Sequence, residues 1–186
     1  MNEAVRYEDN LLEELINGEI VAMSPSPTWN HISISGNLYH VFKSYLSGKS
    51  CTPIPDGFDL HLSKKDIFIP DMMVVCDRSK IQSNGVHGAP DLVVEILSPS
   101  TSARDRGYKK EVYEASGVPE YWIVNPVDRS IEVYLLANGR FSLEDVYMLP
   151  SEQMREEEKP KLKTQLKCHL YDDLVLSLED IFADLL

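Results

Sequence analysis

The run Asp91-Leu-Val-Val-Glu-Ile-Leu-Ser98 constrains the fold of this chain more than any other stretch. Valine-rich runs of this length read as strands buried on both faces, and a carboxylate inside one is costly unless something pairs with it. Glu95 sits in the middle of the run. Asp71, directly after Pro70, lies 24 residues earlier (95 − 71) in a second apolar segment. A fold that buries both segments must supply counter-charge, and a shared divalent cation would do so.

Strand geometry decides which acids can share that cation. Alternation sets Asp91, Val93, Glu95 and Leu97 on one face. Four residues of strand span roughly 13 Å, too far for Asp91 and Glu95 to bind one ion through bonds of about 2 Å. Asp91 therefore reads as a strand-start or turn residue. Asp71 can meet Glu95 if the two segments lie side by side, which a hairpin-like connection through residues 78–90 permits. A third acid would come from beside the Asn17-Gly18 turn, either Glu14 or Glu19; Glu19 is taken as the metal ligand with Asp71 and Glu95. Carboxylate oxygens in such numbers suit magnesium or manganese, not zinc or copper.

The remaining elements follow from periodicity and turn residues. Glu8–Ile16 reads as a short acidic helix stopped by Asn17-Gly18, Glu19–Met23 as a strand and Ser24–Pro27 as a loop. Ile32, Ser35, Leu38, Tyr39, Phe42, Tyr45 and Leu46 recur at helical spacing, so His31–Leu46 is expected to be one amphipathic helix. Strands are expected at Thr52–Leu62, Ile67–Cys76 and Asp91–Leu97, and a helix at Arg104–Ser116. Further strands fall at Tyr121–Val124, Ile131–Leu136 and Phe141–Tyr147, the last two joined through Asn138-Gly139. Ser177–Asp180 resembles a capping box opening a final helix. Strands and helices mixed in this way predict an α/β or α+β domain spanning residues 1–186 around a short mixed sheet.

Composition narrows the function classes. Three widely spaced cysteines, Cys51, Cys76 and Cys168, form no CxxC pair. They argue against a disulfide scaffold or a zinc cluster and suit a reducing cytoplasm. No apolar run approaches the roughly 20 residues that span a bilayer, so no membrane partner is expected. The net charge of −12 opposes nucleic acid at long range, so any phosphate contact has to be local or metal-assisted.

Pro70-Asp71 followed by Glu95 in a buried strand and then a helix resembles the PD-(D/E)XK nuclease superfamily. A longer ordered series is similar to the Uma-type putative restriction endonuclease family, formerly a domain of unknown function. The matching pieces are Glu14–Val21, Met23–Pro25, His31 with its helix, Ile69-Pro-Asp71, Gly88–Thr101, Asp105 with Lys109, and Gly117–Pro126. The resemblance implies a restriction-endonuclease-like core, a mixed sheet flanked by helices and often dimeric. It also implies a magnesium-dependent site with Asp71 and Glu95 as the acids and a metal-bound water attacking phosphorus. The implied substrate is nucleic acid, DNA before RNA. The superfamily's lysine stands two residues after the acid, but position 97 here is Leu. Tyr108, Val112 and Ala115 mark the buried stripe of the next helix. At about 100° per residue Lys109 falls at its edge and Lys110 points away, so Lys109 is the candidate replacement. His31 and Arg104 are candidate substrate contacts. Leu97 and the net charge leave a second reading open, a catalytically inactive nuclease fold used as a binding module.

Overall fold

The computed structural model describes residues 12–23 and 26–186. Residues 8–11 of the expected helix Glu8–Ile16, and Ser24-Pro25 of the expected loop Ser24–Pro27, lie outside the described residues. A hairpin, β1 (Glu13–Ile16) and β2 (Glu19–Ala22), precedes helix α1 (Trp29–Tyr45). Strands β3 (Thr52–Pro55), β4 (Leu60–His61), β5 (Ile67–Phe68) and β6 (Met72–Val75) follow, then β7 (Ile81–Gln82), β8 (Gly85–His87) and β9 (Leu92–Ile96). Helices α2 (Ser102–Arg106) and α3 (Tyr108–Ser116) lead into the meander β10 (Glu120–Asn125), β11 (Ser130–Ala137) and β12 (Arg140–Met148). A last hairpin, β13 (Gln165–Lys167) and β14 (Val175–Ser177), runs into α4 (Leu178–Ile181).

The fold is α+β. Its central sheet has six strands in the order β12-β11-β10-β9-β6-β3, and a peripheral sheet has six in the order β2-β1-β5-β4-β8-β7. The central sheet is mixed, because β9 and β10 run parallel across the α2–α3 connection while the other neighbours are antiparallel. Alternation along β6 and β9 divides the core. Met72, Val74, Leu92 and Val94 pack with Ile34, Leu38 and Phe42 of α1 on one face. Met73, Val75 and Val93 pack on the other with Tyr113 of α3 and with Leu60, Phe68 and Val86 of the peripheral sheet. The valine-rich strand is thus buried on both faces, as its composition requires.

Several expected elements are divided or altered, each for a local reason. Glu13–Ile16 is a strand and not the end of a helix. Asn17 and Gly18 both take positive φ, 51° and 83°, the geometry that joins two twisted strands in a tight hairpin. Asn138 (φ 53°) and Gly139 (φ 75°) do the same between β11 and β12. The expected strand Thr52–Leu62 breaks at Gly57, and Ile67–Cys76 breaks at Pro70; in each case the two halves join different sheets. Proline cannot donate to a ladder, so a strand change at position 70 costs no hydrogen bond. The helix expected over Arg104–Ser116 is broken at Gly107, where a Cβ would stand 2.8 Å from the Ala103 carbonyl oxygen. Helix α1 begins at Trp29, ahead of the expected His31, because Thr28 Oγ1 accepts from the His31 N–H at 3.3 Å. Helix α4 forms where expected, but Ser177 donates to Glu179 at 2.6 Å and makes no capping bond to the backbone.

The cysteines depart from expectation. Cys51 and Cys76 stand one step beyond the Thr52–Val75 pair of antiparallel strands β3 and β6, directly opposite each other, and form a disulfide. Register brings together two thiols that the sequence separates by 25 residues, so their spacing in the chain carries no argument for a reducing compartment. Cys168 is free and buried. No helix among the described residues is long and apolar enough to cross a membrane.

Buried Glu120 ties the C-terminal segment to the central sheet. Its carboxylate accepts from Trp122 Nε1 at 2.7 Å and from the backbone N–H groups of His169 and Leu170 at 3.1 and 2.8 Å. Replacing Glu120 by Ala leaves these buried donors without partners. The expected cost is about 3 kcal/mol or more, read as a lower urea midpoint at unchanged m-value.

Candidate functional site

Antiparallel register brings the two acids together. Met72 pairs with Val94 in the β6–β9 ladder, so one step further Asp71 stands opposite Glu95, on the same face. The hairpin-like connection through residues 78–90 makes these strands neighbours. Asp91 takes the other role expected for it. Its carboxylate accepts from the Cys76 N–H at 2.7 Å at the far end of the ladder.

Asp71 is held from two sides. Its Oδ2 accepts from the Ile96 N–H at 2.5 Å, and its Oδ1 lies 2.9 Å from Nε2 of His31, in the first turn of α1. Burial alone would lower the pKa of His31. The hydrogen bond and charge of Asp71, reinforced by Asp56 and Asp105, outweigh burial and raise it above 6.5.

Glu95 lies at the centre of a buried network. Its Oε1 accepts from Tyr113 OH at 2.6 Å and from Lys109 Nζ at 3.0 Å. The same ammonium is 2.7 Å from Glu14 Oε1 and 3.8 Å from Asp105 Oδ1, and Glu14 Oε1 also accepts from the Ile69 N–H at 2.9 Å. Lys109 and Glu14 are 4 % exposed, Glu95 3 % and Asp105 1 %. Burial would discharge Lys109, but the charges of Glu95, Glu14 and Asp105 prevail and hold its pKa above that of an ordinary lysine. The reverse holds for Glu95. Burial drives its pKa well above the ordinary carboxyl value, Lys109 draws it down, and Asp105, Asp71 and Glu14 push it up again. One ammonium cannot neutralise three carboxylates.

These groups form the floor of a cavity of about 540 Å³ whose wall also includes Asp56, Arg104 and the Ser98–Thr101 loop. Lys109, the residue picked out by periodicity, reaches Glu95, whereas the Lys110 ammonium lies 3.4 Å over the Tyr134 ring. Asp71, Glu95, Lys109, His31 and Arg104 all line this cavity. Glu19 does not. It is exposed on β2 opposite Ile16 at the turn end of the hairpin, whereas Glu14, two residues further along β1, is buried against the Ile69 N–H and Lys109. Two acids were missed. Asp56 follows Pro55 just as Asp71 follows Pro70, and the Pro55–Met72 pairing places it next to Asp71, a signal present in the repeated Pro-Asp dipeptide. In the sequence, Asp105 stands only as a piece of the family resemblance beside Lys109, with no site role assigned. Among the described residues no three His, Cys, Asp or Glu side chains are already drawn together as a metal site. Three of the acids instead surround the Lys109 ammonium.

Paired strands that set two acids side by side, beneath a lysine carried on the following helix, define a nuclease-like α+β fold. Comparison with known proteins agrees. Residues 4–167 match the Uma2 family, described as "Putative restriction endonuclease", and the chain belongs to that family. It is 32% identical over 136 residues to an uncharacterised protein of Synechocystis, 71% of each chain being covered. A crystal structure from Anabaena variabilis, described as a putative nuclease belonging to DUF820, shares the fold. Its TM-score is 0.63 at 20% identity, covering 92% of this chain and 89% of that one.

The His31–Asp71 pair has a definite pH signature. Its contribution to stability is fully present below pH 6.5 and is lost as pH rises through the raised pKa of His31. NMR titration of the His31 ring should give a midpoint above 6.5 in the wild type. In Asp71→Asn the midpoint should fall, because burial then acts without the main opposing charge.

Proposed function

We propose that this protein is a magnesium- or manganese-dependent phosphodiesterase acting on nucleic acid, DNA in preference to RNA. The supporting observation is the Lys109 ammonium 3.0 Å from Glu95, with Asp71 opposite Glu95 across paired strands. The donors fit a hard divalent cation: they are carboxylates, they outnumber the fixed positive charges, and one buried oxygen, Asp105 Oδ1, lacks a hydrogen bond. An ion held by Asp71 and Glu95 would acidify an attacking water and offset charge on the phosphate.

The chain's own residues do the rest. His31 and the Ile96 N–H fix the orientation of Asp71. Tyr113 and Lys109 both donate to Glu95 Oε1, leaving Oε2 as its other acceptor. Lys109, steadied by Glu14, presents a fixed positive charge where negative charge develops on phosphorus. Arg104, in the cavity wall, is placed to meet a substrate phosphate. The family's description and that of the Anabaena protein both point toward nucleic-acid cleavage. A nuclease fold that binds without cutting is the competing reading, supported by the net charge of −12.

A cleavage assay on single- and double-stranded DNA and on RNA with Mn²⁺ separates the two. Metal-dependent cutting is expected, abolished in Glu95→Ala and slowed about 10²–10³-fold in Lys109→Met, the usual loss when one charge-stabilising donor is removed. Failure of the wild type to cut any of these substrates would favour the binding module.

A further inference from the structure

The Asp105 carboxylate is the least satisfied acid around Lys109. It is 1 % exposed, and its Oδ1 is one of only two buried side-chain polar atoms without a hydrogen-bond partner among the described residues. The nearest cation, Lys109 Nζ, stands 3.8 Å away, beyond hydrogen-bond reach, because its short contacts go to Glu14 and Glu95. A buried carboxylate oxygen left in this state is destabilising, and native structures retain one where something else completes it.

The backbone aims this side chain deliberately. Tyr121 OH, itself buried, donates to the Asp105 carbonyl oxygen at 3.0 Å, and the Asp105 N–H donates to Thr101 O at 3.0 Å. The chain then breaks at Gly107, where α2 gives way to α3, and a Cβ would meet the Ala103 carbonyl at 2.8 Å. These constraints fix Asp105 in the wall of the cavity that holds Asp71, Glu95 and Lys109.

We propose that Asp105 is a further carboxylate ligand of the divalent-cation site formed by Asp71 and Glu95, its Oδ1, which accepts no hydrogen bond, being the oxygen the ion would take. The proposal rests on the phosphodiesterase reading above and extends it to a residue outside the acid pair. The ion it would take is a hard divalent cation, Mg²⁺ or Mn²⁺, since the added donor is another carboxylate oxygen. Two opposite effects follow for Asp105→Asn. The ion-free protein loses a buried charge whose Oδ1 accepts no hydrogen bond and keeps the side-chain shape, so it should be no less stable. The ion loses a charged ligand, so its binding should weaken.

The test measures both on the full chain, without nucleic acid. Thermal unfolding in the presence of a chelator should give Asp105→Asn a melting temperature equal to or above that of the wild type. Isothermal titration with Mn²⁺ should give an affinity lower by about tenfold or more, with Asp71→Ala as the reference for a lost ligand. Failure of Asp105→Asn to fold, or a lower ion-free melting temperature, would make Asp105 a structural anchor and overturn the proposal. Mn²⁺ affinity within twofold of the wild type would also overturn it, while leaving the Asp71–Glu95 site in place if Asp71→Ala has lost binding. A wild type that binds no Mn²⁺ would remove the cation site itself and this proposal with it.

Discussion

The Lys109 ammonium is the interaction on which the rest of the structure depends. It is brought in by α3 and meets Glu14 from β1, Glu95 from β9 and Asp105 from α2, so the peripheral sheet, the central sheet and the helical crossover converge on one charge. Each of these carboxylates is nearly inaccessible to water. Without the lysine their burial would be prohibitive, because removing one partner of a buried ion pair leaves the others uncompensated. With it the cluster holds together, but one ammonium faces three carboxyl groups. That deficit separates it from a closed structural salt bridge, and it is the physical basis for reading a cation site here.

The β6–β9 register is the scaffold for this arrangement. A one-residue slip would turn Asp71 away from Glu95 and put Pro70 or Met72 in its place. The observed pairing also aligns Asp56 with Asp71 at the same end of the sheet and sends Asp91 to the opposite end. The two core faces then divide the helices between them. Helix α1 covers one face and brings His31 to Asp71 at its first turn, while α3 covers the other and brings Lys109 to Glu95. Acids at the sheet's end are thus gripped from both sides, by an imidazole and by an ammonium.

Much of this was legible before any coordinates. The valine-rich strand, the long first helix, the Asn138-Gly139 hairpin and the choice of Lys109 over Lys110 all follow from spacing of two, three or four residues. What spacing hid was where segments break. Pro70 and Gly107 interrupt patterns that read as continuous, because apolar periodicity persists across a residue that cannot extend the ladder or the helix. Glu14 and Glu19 flank the same turn, and only the way the β1–β2 hairpin lies on the sheet decides which one is buried. Asp105, four residues before Lys109, matched the pattern of an exposed ion pair; its burial comes from packing.

The sequence by itself determined the family, the buried acidic strand, the Asp71–Glu95 pairing as the geometrically allowed one, and the choice of Lys109 as the lysine that reaches the sheet. The family rests on the resemblance of an ordered series of motifs, and the rest on alternation, helical period and strand rise, which operate within a few residues. Tertiary structure alone decided the disulfide between Cys51 and Cys76, the exchange of Glu14 for Glu19, and the presence of Asp105 and Asp56 in the cavity wall. Each of those depends on which segments become neighbours. Contacts between residues far apart in the chain are set by sheet order and register, and no local pattern encodes them.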